Sequence, residues 1–525
     1  MKLSRNGIKN PLLWEQKGYA LPEFDIDTMT SRTAREPIWL HMGAGNLLRV
    51  FPAVMQQQLL DNELTDRGII VCECFDEEII PAVFAPHDNL TLAVTLLPDG
   101  TMEKTVVAGI AEALSISGSN GDKARLLEVF AAPSLQMVSF TITEKGYTIQ
   151  EPPQANSIIN VVAEGLMARY HAGATPLALV SMDNCSQNGD VLKQAVLTVA
   201  QAWVADGTAD AGFALYVRSL AYPWTMIDKI APRPSPLVAA ALLQDGFEDV
   251  AITVTQKHTH IAPFANAEKP QYLVVEDDFP NGRPPLEKAG MIATTRETVD
   301  KAEKMKVCTC LNPLHTMLAI AGCLLGYKSV AETMQDKHLV AWLKRAAAES
   351  LPIVADPVVI NPKAFLREVL EERFPNPHVP DTPQRIATDA SQCIPVRFGE
   401  TLKLRRAAAL PEDELQAHPF LFALYLRYLM GVNDKGQPMA VESDPRREEL
   451  CAYLSGLALG CKPDNTALTE QLHPILSDAT LFGVDLHSKG GVLARKTQEY
   501  FADLIAAPGA VALEMAKHFK YSKRH

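Results

Sequence analysis

A short segment in the second half of the chain concentrates side chains suited to acid–base chemistry. It runs from Glu303 to His315 and reads EKMKVCTCLNPLH. Lys306 stands between Met305 and Val307, and apolar surroundings disfavour the charged ammonium, which brings the pKa of a lysine toward the range useful for proton transfer. A lysine of this kind can take the proton of a substrate hydroxyl, so we predict that Lys306 is a general base.

The same reaction needs hydrogen-bond donors that hold the substrate oxygen as negative charge develops. Asn312 offers one side-chain amide, and Asn184 offers a second just after an apolar run of strand length. Helix capping by Asn312, and an Asx turn with capping by Asn188, are the structural alternatives. His315 shares a helix face with Asn312, and its alternative is a hydrogen-bonded core histidine.

Residues 43–49 read GAGNLLR, after the first strand-like run and at the start of a helical pattern. Gly43 and Gly45 would permit a tight turn and a close approach of the backbone to a pyrophosphate at the helix N-terminus. The third glycine of the G-x-G-x-x-G pattern is replaced by Leu48. A dinucleotide loop is therefore predicted, with a purely structural turn as the alternative.

The neighbouring residues define the rest of the predicted cofactor site. Asn46 and Leu47 begin the helix, and Arg49 either pairs with a phosphate or substrate or covers the surface of its helix. Glu73 and Asp76 close the second strand, where an acidic side chain binds the ribose hydroxyls and disfavours a 2′-phosphate. We therefore predict NAD rather than NADP, with either acidic residue as the ribose ligand.

The first half of the chain alternates strand-like runs with helical periodicity. The strand candidates are 37–42, 68–72, 89–97, 137–143 and 177–182, and the helices between them lie at about 123–131, 156–171 and 189–205. Such alternation with short connections predicts an α/β fold with a doubly wound parallel sheet.

The second half is predominantly helical in pattern. Helices are predicted at 297–306, 312–326, 329–349, 363–373, 411–431, 444–457, 465–472 and 489–519. A polar stretch rich in proline and glycine at 276–285 suits a junction between the halves. We predict two domains, 1–296 and 297–525, the first binding the cofactor and the second being a helical substrate-binding and catalytic domain.

Length and composition restrict the class of protein. The chain has 525 residues, 47% of them hydrophobic, and its 49 basic against 62 acidic side chains give a net charge of −13. This composition excludes a disordered protein and argues against nucleic-acid binding. No signal peptide or uninterrupted apolar span is apparent, so we expect a cytoplasmic protein with no membrane partner.

The nine cysteines are odd in number and scattered, as in a reduced interior. The pairs Cys72/Cys74, Cys308/Cys310 and His258/His260 lack further ligands at suitable spacing, so we expect no metal. The sequence does not specify an oligomeric state.

Seven motifs together resemble the long-chain, metal-independent polyol dehydrogenases, which include mannitol 2-dehydrogenase and the fructuronate and tagaturonate reductases. The motifs are GAGNLLR (43–49), TITEKGY (141–147), SMDNCSQNG (181–189), YPWTMIDKI (222–230), EDDFPNGRPPLE (276–287), EKMKVCTCLNPLH (303–315) and RIATDAS (385–391). The resemblance implies a Rossmann-type N-terminal domain and a mostly helical C-terminal domain.

The resemblance also implies residue roles. Lys306 would be the general base, Asn184 and Asn312 the oxyanion donors, and His315 and Arg385 substrate ligands. It further implies a proton-relay carboxylate at Glu303 and an aspartate near the nicotinamide at Asp228.

Three positions depart from the family pattern. Lys306 and Asn312 are six residues apart instead of five, a difference that a one-residue bulge would absorb. The lysine expected shortly after Ser391 is replaced by Gln392-Cys393, and the residues preceding Arg49 are leucines.

From these observations we predict an NAD-dependent enzyme that interconverts a ketose-type sugar acid and its secondary alcohol, as in D-fructuronate and D-mannonate. A cluster of Arg385, Arg397 and His315 would suit a uronate. A dehydrogenase of mannitol or arabinitol is the alternative within the class. A non-catalytic protein that binds NAD or a sugar is the alternative outside it.

Overall fold

The computed structural model describes residues 1–116, 121–142, 144–148, 157–378 and 381–520. Two compact units make up the chain, Met1–Asp300 and Lys301–His525. Residue 143 of the predicted strand 137–143 and residue 156 of the predicted helix 156–171 lie outside the described residues.

The described strands all lie in the first unit. They are β1 Tyr19–Ala20, β2 Trp39–Met42, β3 Ile69–Glu73, β4 Thr91–Leu96, β5 Met102–Val107, β6 Ile110–Ser115, β7 Met137–Phe140, β8 Ala178–Ser181, β9 Thr225–Asp228, β10 Thr253–Val254, β11 His260–Ile261, β12 Phe264–Glu268, β13 Tyr272–Glu276 and β14 Ile292–Thr294.

Helices α1–α9 also belong to this unit, and α10 crosses the division between the units. They are α1 Pro11–Glu15, α2 Ile26–Arg35, α3 Asn46–Val50, α4 Pro52–Asp61, α5 Asp122–Ala131, α6 Ile158–His171, α7 Asn188–Ala205, α8 Ala211–Ser219, α9 Pro236–Asp245 and α10 Arg296–Met305.

A five-stranded parallel sheet with the order β6-β3-β2-β7-β8 forms the centre of the first unit. Successive residues of β2 enter different apolar clusters, with Trp39 on one face and Leu40 on the other. Helices α5–α8 supply the cluster around Leu40, and α3 and α4 supply the cluster around Trp39. Burial on both faces explains the near-continuous apolar strands, and the predicted doubly wound parallel sheet is confirmed.

The predicted strand at 89–97 belongs to a different sheet. It forms β4 in a mixed four-stranded sheet with the order β1-β5-β4-β12, where it pairs antiparallel to β5 and parallel to β12. A third sheet, ordered β14-β13-β9, places the end of β9 beside β13.

The second unit is helical throughout its described part, as predicted. Its helices are α11 Asn312–Leu325, α12 Val330–Thr333, α13 Lys337–Ser350, α14 Pro362–Glu368, α15 Pro383–Ile386, α16 Ala390–Ile394, α17 Glu400–Ala407, α18 Ala417–Leu429, α19 Arg447–Tyr453, α20 Asn465–Leu476, α21 Ala479–Phe482, α22 Val492–Leu504 and α23 Ala510–His518.

The core of the second unit is built around α18, which is buried along its whole length. Two predicted helices are broken: Asp336 caps α13 and so separates it from α12, and Gly509 with φ +84° separates α22 from α23. The predicted helix 411–431 begins late, at Ala417.

One helical stretch over residues 296–325 has the length and apolarity of a membrane span, and 78% of its most apolar window is buried inside the protein. The core helix of a soluble protein has the same properties. The stretch consists of α10, a π-helical turn over Lys306–Cys310, and α11. Two further π-turns occur in this unit, at Val369–Arg373 and Pro395–Gly399.

Candidate active site

The glycine loop between β2 and α3 has an open backbone surface. Gly43 has φ +106°, a conformation that favours glycine, and a Cβ there would lie 3.2 Å from the Thr141 carbonyl oxygen. The Gly43 N–H donates to the Cys72 carbonyl at 2.8 Å, which fixes the loop to β3. A Cβ on Gly45 would meet no atom within 4 Å. The Gly45 backbone is thus open to a ligand, which fits the pyrophosphate of a dinucleotide.

The two acidic residues that end β3 are buried and hydrogen-bonded within the protein. Glu73 Oε2 accepts from the Ala44 N–H at 2.7 Å, and Oε1 accepts from the N–H groups of Phe75 and Asp76 at 2.8 and 3.1 Å. Asp76 Oδ2 accepts from the Thr255 hydroxyl at 2.6 Å. Glu73 therefore holds the glycine loop against β3, and ribose binding by either carboxylate stays a prediction.

The short helix α3 contains a buried cation near its C-terminal end. The Arg49 side chain is 1% exposed and donates to the Thr91 hydroxyl at 2.9 Å, to the Ala262 carbonyl at 2.8 Å and to Asn46 Oδ1 at 3.4 Å. Burial lowers the pKa of the guanidinium to about 9. Arg49 does not cover the surface of its helix, so that alternative is wrong. Leu47 is half-buried beside it.

Asn184 lies in a loop that a buried aspartate organises. Asp183 is 9% exposed and accepts hydrogen bonds from the Tyr147 hydroxyl, from the Ser181 hydroxyl at 2.6 Å and from the Cys185 N–H at 2.9 Å. Asn184 itself is exposed. Three donors converge on one carboxylate, which fixes the backbone on both sides of Asn184.

Asn188 connects the same loop to β9. Its Oδ1 accepts from the Thr225 N–H at 3.0 Å, and its Nδ2 donates to the Thr225 hydroxyl at 2.9 Å. Gln187, with φ +52°, occupies the N-cap position of α7, so capping by Asn188 is wrong. Asp228 is the last residue of β9 and is 4% exposed.

Lys306 is the first residue of the π-turn between α10 and α11. The Leu311 N–H donates to the Lys306 carbonyl at 3.1 Å, a bond between residues five apart that defines the turn. Because a π-turn holds one residue more than an α-helical turn, it provides the bulge that the six-residue spacing to Asn312 requires. The Lys306 residue is 7% exposed, and Glu303 is half-buried one turn earlier on α10.

Asn312 does not cap a helix. The π-turn leads directly into α11, so the chain has no free helix N-terminus at this point, and Leu311 precedes α11 without a side-chain cap. In the part of the chain that the structure describes, no group hydrogen-bonds to the Asn312 amide. Asn312, His315 and Leu325 are the residues of α11 that are not buried. The amide of Asn312 is therefore available to a ligand.

His315 is stacked on Phe374 with the ring centroids 5.3 Å apart, and its Nε2 lies 3.5 Å from Asp381 Oδ2. Burial lowers the pKa of His315 to about 4; Asp381 opposes this shift and three guanidinium groups add to it. His315 is therefore neutral at physiological pH. The guanidinium groups belong to Arg397, Arg385 and Arg373.

Arg385 has a carboxylate partner that sequence reasoning missed. Its Nε and Nη2 donate to the two oxygens of Asp381 at 2.6 and 2.5 Å, while 69% of its side chain stays exposed. Asp381 precedes Arg385 by four residues and lies just before Thr382, the N-cap of α15, so the ion pair forms at the start of that helix. Tyr147 and Asp183 were also missed, although both lie in motifs that carry the family resemblance.

The described residues contain one group of three potential metal ligands within 4.8 Å of one another, Asp503, Glu514 and His518. Glu514 in this group is hydrogen-bonded to Lys517 at 2.7 Å. Cys72 and Cys74 lie with their Sγ atoms 3.9 Å apart. His258 and His260 lie in and beside the β10–β11 turn, where Arg233 approaches His260 Nε2 at 3.5 Å.

Models of known protein families match both units of the chain. The mannitol dehydrogenase Rossmann domain matches residues 37–288, and the mannitol dehydrogenase C-terminal domain matches residues 298–502. The chain belongs to the mannitol dehydrogenase family. The predicted family and fold class are confirmed, and the chain is an oxidoreductase of the kind that acts on CH–OH groups.

The similarity of this chain to known dehydrogenases and oxidoreductases extends over nearly its whole length. A D-mannonate oxidoreductase of Thermotoga maritima is 45% identical over 97% of this chain and 98% of its own. A D-sorbitol dehydrogenase crystal structure in substrate-free form has a TM-score of 0.76 at 23% identity, covering 98% of this chain and 99% of its own. Pseudomonas fluorescens mannitol 2-dehydrogenase, in a ternary complex with NAD and D-mannitol, has a TM-score of 0.69 at 23% identity, covering 99% and 100%.

Proposed function

We propose that this protein is an NAD-dependent oxidoreductase that interconverts D-mannonate and D-fructuronate. The observation that carries the proposal is the 45% identity to the D-mannonate oxidoreductase of Thermotoga maritima along almost the full length of both chains. The similar mannitol 2-dehydrogenase is complexed with NAD, which supports the choice of cofactor. The open Gly45 backbone and the tight turn at Gly43 suit that cofactor.

The proposed chemistry assigns one task to each side chain. NAD, when bound, accepts a hydride from the carbinol carbon. Lys306 takes the hydroxyl proton during oxidation and returns it during reduction of the ketone. The amides of Asn312 and Asn184 donate to the substrate oxygen as it gains negative charge. Glu303, half-buried one turn before Lys306, relays the proton toward solvent.

The structure supports the assignment of Lys306 and Asn312 in two ways. Lys306 is 7% exposed on a π-turn, a helical irregularity that occurs frequently at functional sites. Asn312 presents an amide without a hydrogen-bond partner among the described residues, on a helix that is otherwise almost entirely buried. A side-chain amide left available at the first residue of a buried helix suits an oxyanion donor.

The domain assignment forms part of the same proposal. Residues 1–296 would bind the cofactor through Gly43, Gly45, Asn46 and Leu47, with Glu73 or Asp76 at the ribose and Asp228 near the nicotinamide. Residues 297–525 would bind the substrate, with His315 and Arg385 as ligands. Because His315 is neutral at physiological pH, it can donate one hydrogen bond and accept another at the sugar hydroxyls.

Steady-state kinetics with the purified protein tests the proposal. We expect NADH-dependent reduction of D-fructuronate with a kcat/KM at least tenfold above those for D-tagaturonate and D-fructose, and weaker activity with NADPH. A preference for D-fructose or D-mannitol would instead support the second candidate, a mannitol 2-dehydrogenase, which the similarity to the mannitol complex favours. NADH binding without turnover of any sugar would indicate a non-catalytic protein.

A further inference from the structure

Arg397 differs from the other arginines in the interior of the helical unit. It is half-buried in the π-turn Pro395–Gly399, and its Nη1 donates to the Thr316 hydroxyl. Among the described residues no carboxylate pairs with Arg397 and no second hydrogen-bond acceptor is present. Burial lowers the pKa of its guanidinium, because the cation is poorly solvated there. A partly buried cation of this kind is stabilised by an anion that hydrogen-bonds to it.

Two buried arginines of the same unit show how a structural guanidinium is held in this fold. Arg405, 3% exposed, donates to the carbonyls of Glu349 and Pro411 at 2.8 and 3.0 Å. Arg427, fully buried, donates to the carbonyls of Val432 and Asn433. Each of these side chains connects two backbone segments. Arg397 has no such backbone partner in the described chain, and its one described hydrogen bond, to Thr316, leaves further N–H donors for a ligand.

The surroundings of Arg397 place it at the candidate substrate end. Thr316, its hydroxyl partner, follows His315 on α11, and Arg397 is close enough to His315 to lower the pKa of the imidazole. Asp381, the acidic group beside His315, has both oxygens hydrogen-bonded to Arg385. The charge of Asp381 is therefore compensated by Arg385, and Arg397 contributes an excess positive charge.

The π-turns provide an independent observation. Lys306, Arg373 and Arg397 all lie on π-turns, which are rare in proteins and occur frequently at functional sites. In a π-turn the helix widens and the direction of the Cα–Cβ bonds changes. A long basic side chain there points in a different direction from its helical neighbours. Arg397 thus lies on a π-turn, as the proposed base Lys306 does, although at the third rather than the first position of the turn.

We infer that Arg397 binds the carboxylate of the substrate and thereby selects a sugar acid over a neutral sugar. The guanidinium offers parallel N–H donors that match the two oxygens of a carboxylate. The Thr316 hydroxyl, which itself donates to the Asn312 carbonyl at 3.1 Å, accepts one N–H of Arg397 and so positions the guanidinium. This inference rests on the proposed function, and it names the residue that recognises the acid group of the substrate.

The test compares an anionic with a neutral substrate for Arg397→Gln, Arg397→Lys and the wild type. The readout is the ratio of kcat/KM for D-fructuronate to kcat/KM for D-fructose. We expect Arg397→Gln to lower this ratio about 100-fold, within the range expected when one partner of a hydrogen-bonded charge pair is removed. Arg397→Lys retains the charge and should recover part of the ratio. Arg495→Gln, an exposed arginine of the same unit, should leave the ratio unchanged.

A second experiment measures the binding of D-mannonate by calorimetry in the presence of NADH. It distinguishes a failure of this inference from a failure of the proposed function. If the wild type binds D-mannonate without turning over any uronate, and Arg397→Gln loses that binding, the proposed function fails while the role of Arg397 stands. If Arg397→Gln leaves both the specificity ratio and D-mannonate binding at wild-type values, the inference is overturned. Equal losses on D-fructuronate and D-fructose would overturn it as well, because the carboxylate would then not be what Arg397 contacts.

Discussion

At the scale of single residues, Lys306 is the side chain on which the proposed reaction depends most. Replacing it by methionine preserves the apolar stem in its 7% exposed position and removes the base. We expect Lys306→Met to lower kcat by about 10²- to 10⁴-fold, the usual contribution of general acid–base catalysis, with little change in NADH affinity. Stopped-flow kinetics and NADH fluorescence titration would measure the two quantities.

The exposed Lys304 provides the matched control for Lys306, since it lies two residues earlier on the same helix. Lys304→Met should retain wild-type kcat. Near-full activity of Lys306→Met at every pH would show that another group is the base.

Tyr147 tests whether the loop around Asn184 must be held in place. The Tyr147 hydroxyl donates to the buried Asp183, and Tyr147→Phe removes this donor without changing the ring. We expect kcat to fall about tenfold, corresponding to one hydrogen bond of about 1.4 kcal/mol, while KM for NADH stays constant. Tyr222→Phe, which removes a hydroxyl bonded at 2.9 Å to the Val217 carbonyl in the same unit, is the control. Equal effects of the two substitutions would indicate general loosening of the fold.

The candidate residues were largely identifiable from sequence, but their partners were not. Lys306, Asn312 and His315 stand out because three polar side chains interrupt an apolar helical pattern. The hydrogen bonds between Glu73 and the glycine loop depend on the approach of β2 to β3, which local sequence does not encode. Capping by Asn312 was wrong because the π-turn joins two helices that sequence periodicity treats as separate.

At the scale of elements, substitutions of the two glycines in the loop after β2 should have different effects: one should change the stability of the protein, the other its affinity for the cofactor. Gly43→Ala places a side chain at φ +106° and 3.2 Å from a carbonyl oxygen, so it should destabilise the protein by about 1–3 kcal/mol. Gly45→Ala meets no protein atom and should leave stability unchanged, yet its methyl group would obstruct a pyrophosphate. We expect the Kd of NADH to rise about tenfold for Gly45→Ala, equivalent to about 1.4 kcal/mol.

Urea denaturation and NADH titration of both variants check this prediction. Unaltered NADH affinity of Gly45→Ala would show that the dinucleotide does not approach that backbone.

The π-turn at Lys306–Cys310 predicts an unusual tolerance to deletion. Removal of Val307 would convert the turn to an α-helical one and leave the register of α11 intact, because the turn holds one extra residue. Removal of Ala319 from the buried middle of α11 would instead rotate all following side chains by about 100°. We expect the first variant to fold with a Tm close to wild type and the second to fail, as measured by circular dichroism. A similar loss of structure in both would contradict the role of the turn.

The regular elements of the fold were more predictable than the sheets to which they belong. Strands buried on both faces, such as β2 and β3, are continuous apolar runs and were recognised. β5, with the sequence MEKTVV, is polar over half its length and was missed. The assignment of β4 to the mixed sheet depends on its pairing with β5 and β12, the second of which lies far away in sequence.

At the scale of the whole molecule, the net charge of the protein has the same sign as the proposed substrate. A net charge of −13 repels an anionic sugar acid at long range, so affinity must come from local cations. The arginines around His315 provide a local positive potential. Because Arg385 is paired with Asp381, the excess positive charge is limited to a small region. A protein that is acidic overall can therefore bind an acid specifically through one uncompensated guanidinium.

The stability of the helical unit in acid should depend on a buried carboxylate, Glu349. Burial alone would raise its pKa, but hydrogen bonds from His418 at 2.8 Å, from the Ala417 N–H and from Arg345 outweigh this and lower the pKa to about 2. Because the folded-state pKa is depressed, the carboxylate contributes stability that is fully present above its ordinary pKa of 4.5 and is lost as the pH falls toward 2. The shift corresponds to about 3 kcal/mol.

Glu349→Gln should therefore lower the free energy of unfolding by about 3 kcal/mol at pH 7, and the difference from wild type should shrink as the pH falls from 5 to 3. Urea denaturation across this pH range measures both curves. Glu448→Gln, at an exposed position of the same unit, should give a curve parallel to that of the wild type. If Glu349→Gln also gave a parallel curve, the contribution of Glu349 would not depend on its ionisation. The two curves should converge because protonation removes the charge that the N–H groups of Gln416 and Ala417, at the start of α18, stabilise, and the neutral carboxyl group then resembles the amide of glutamine.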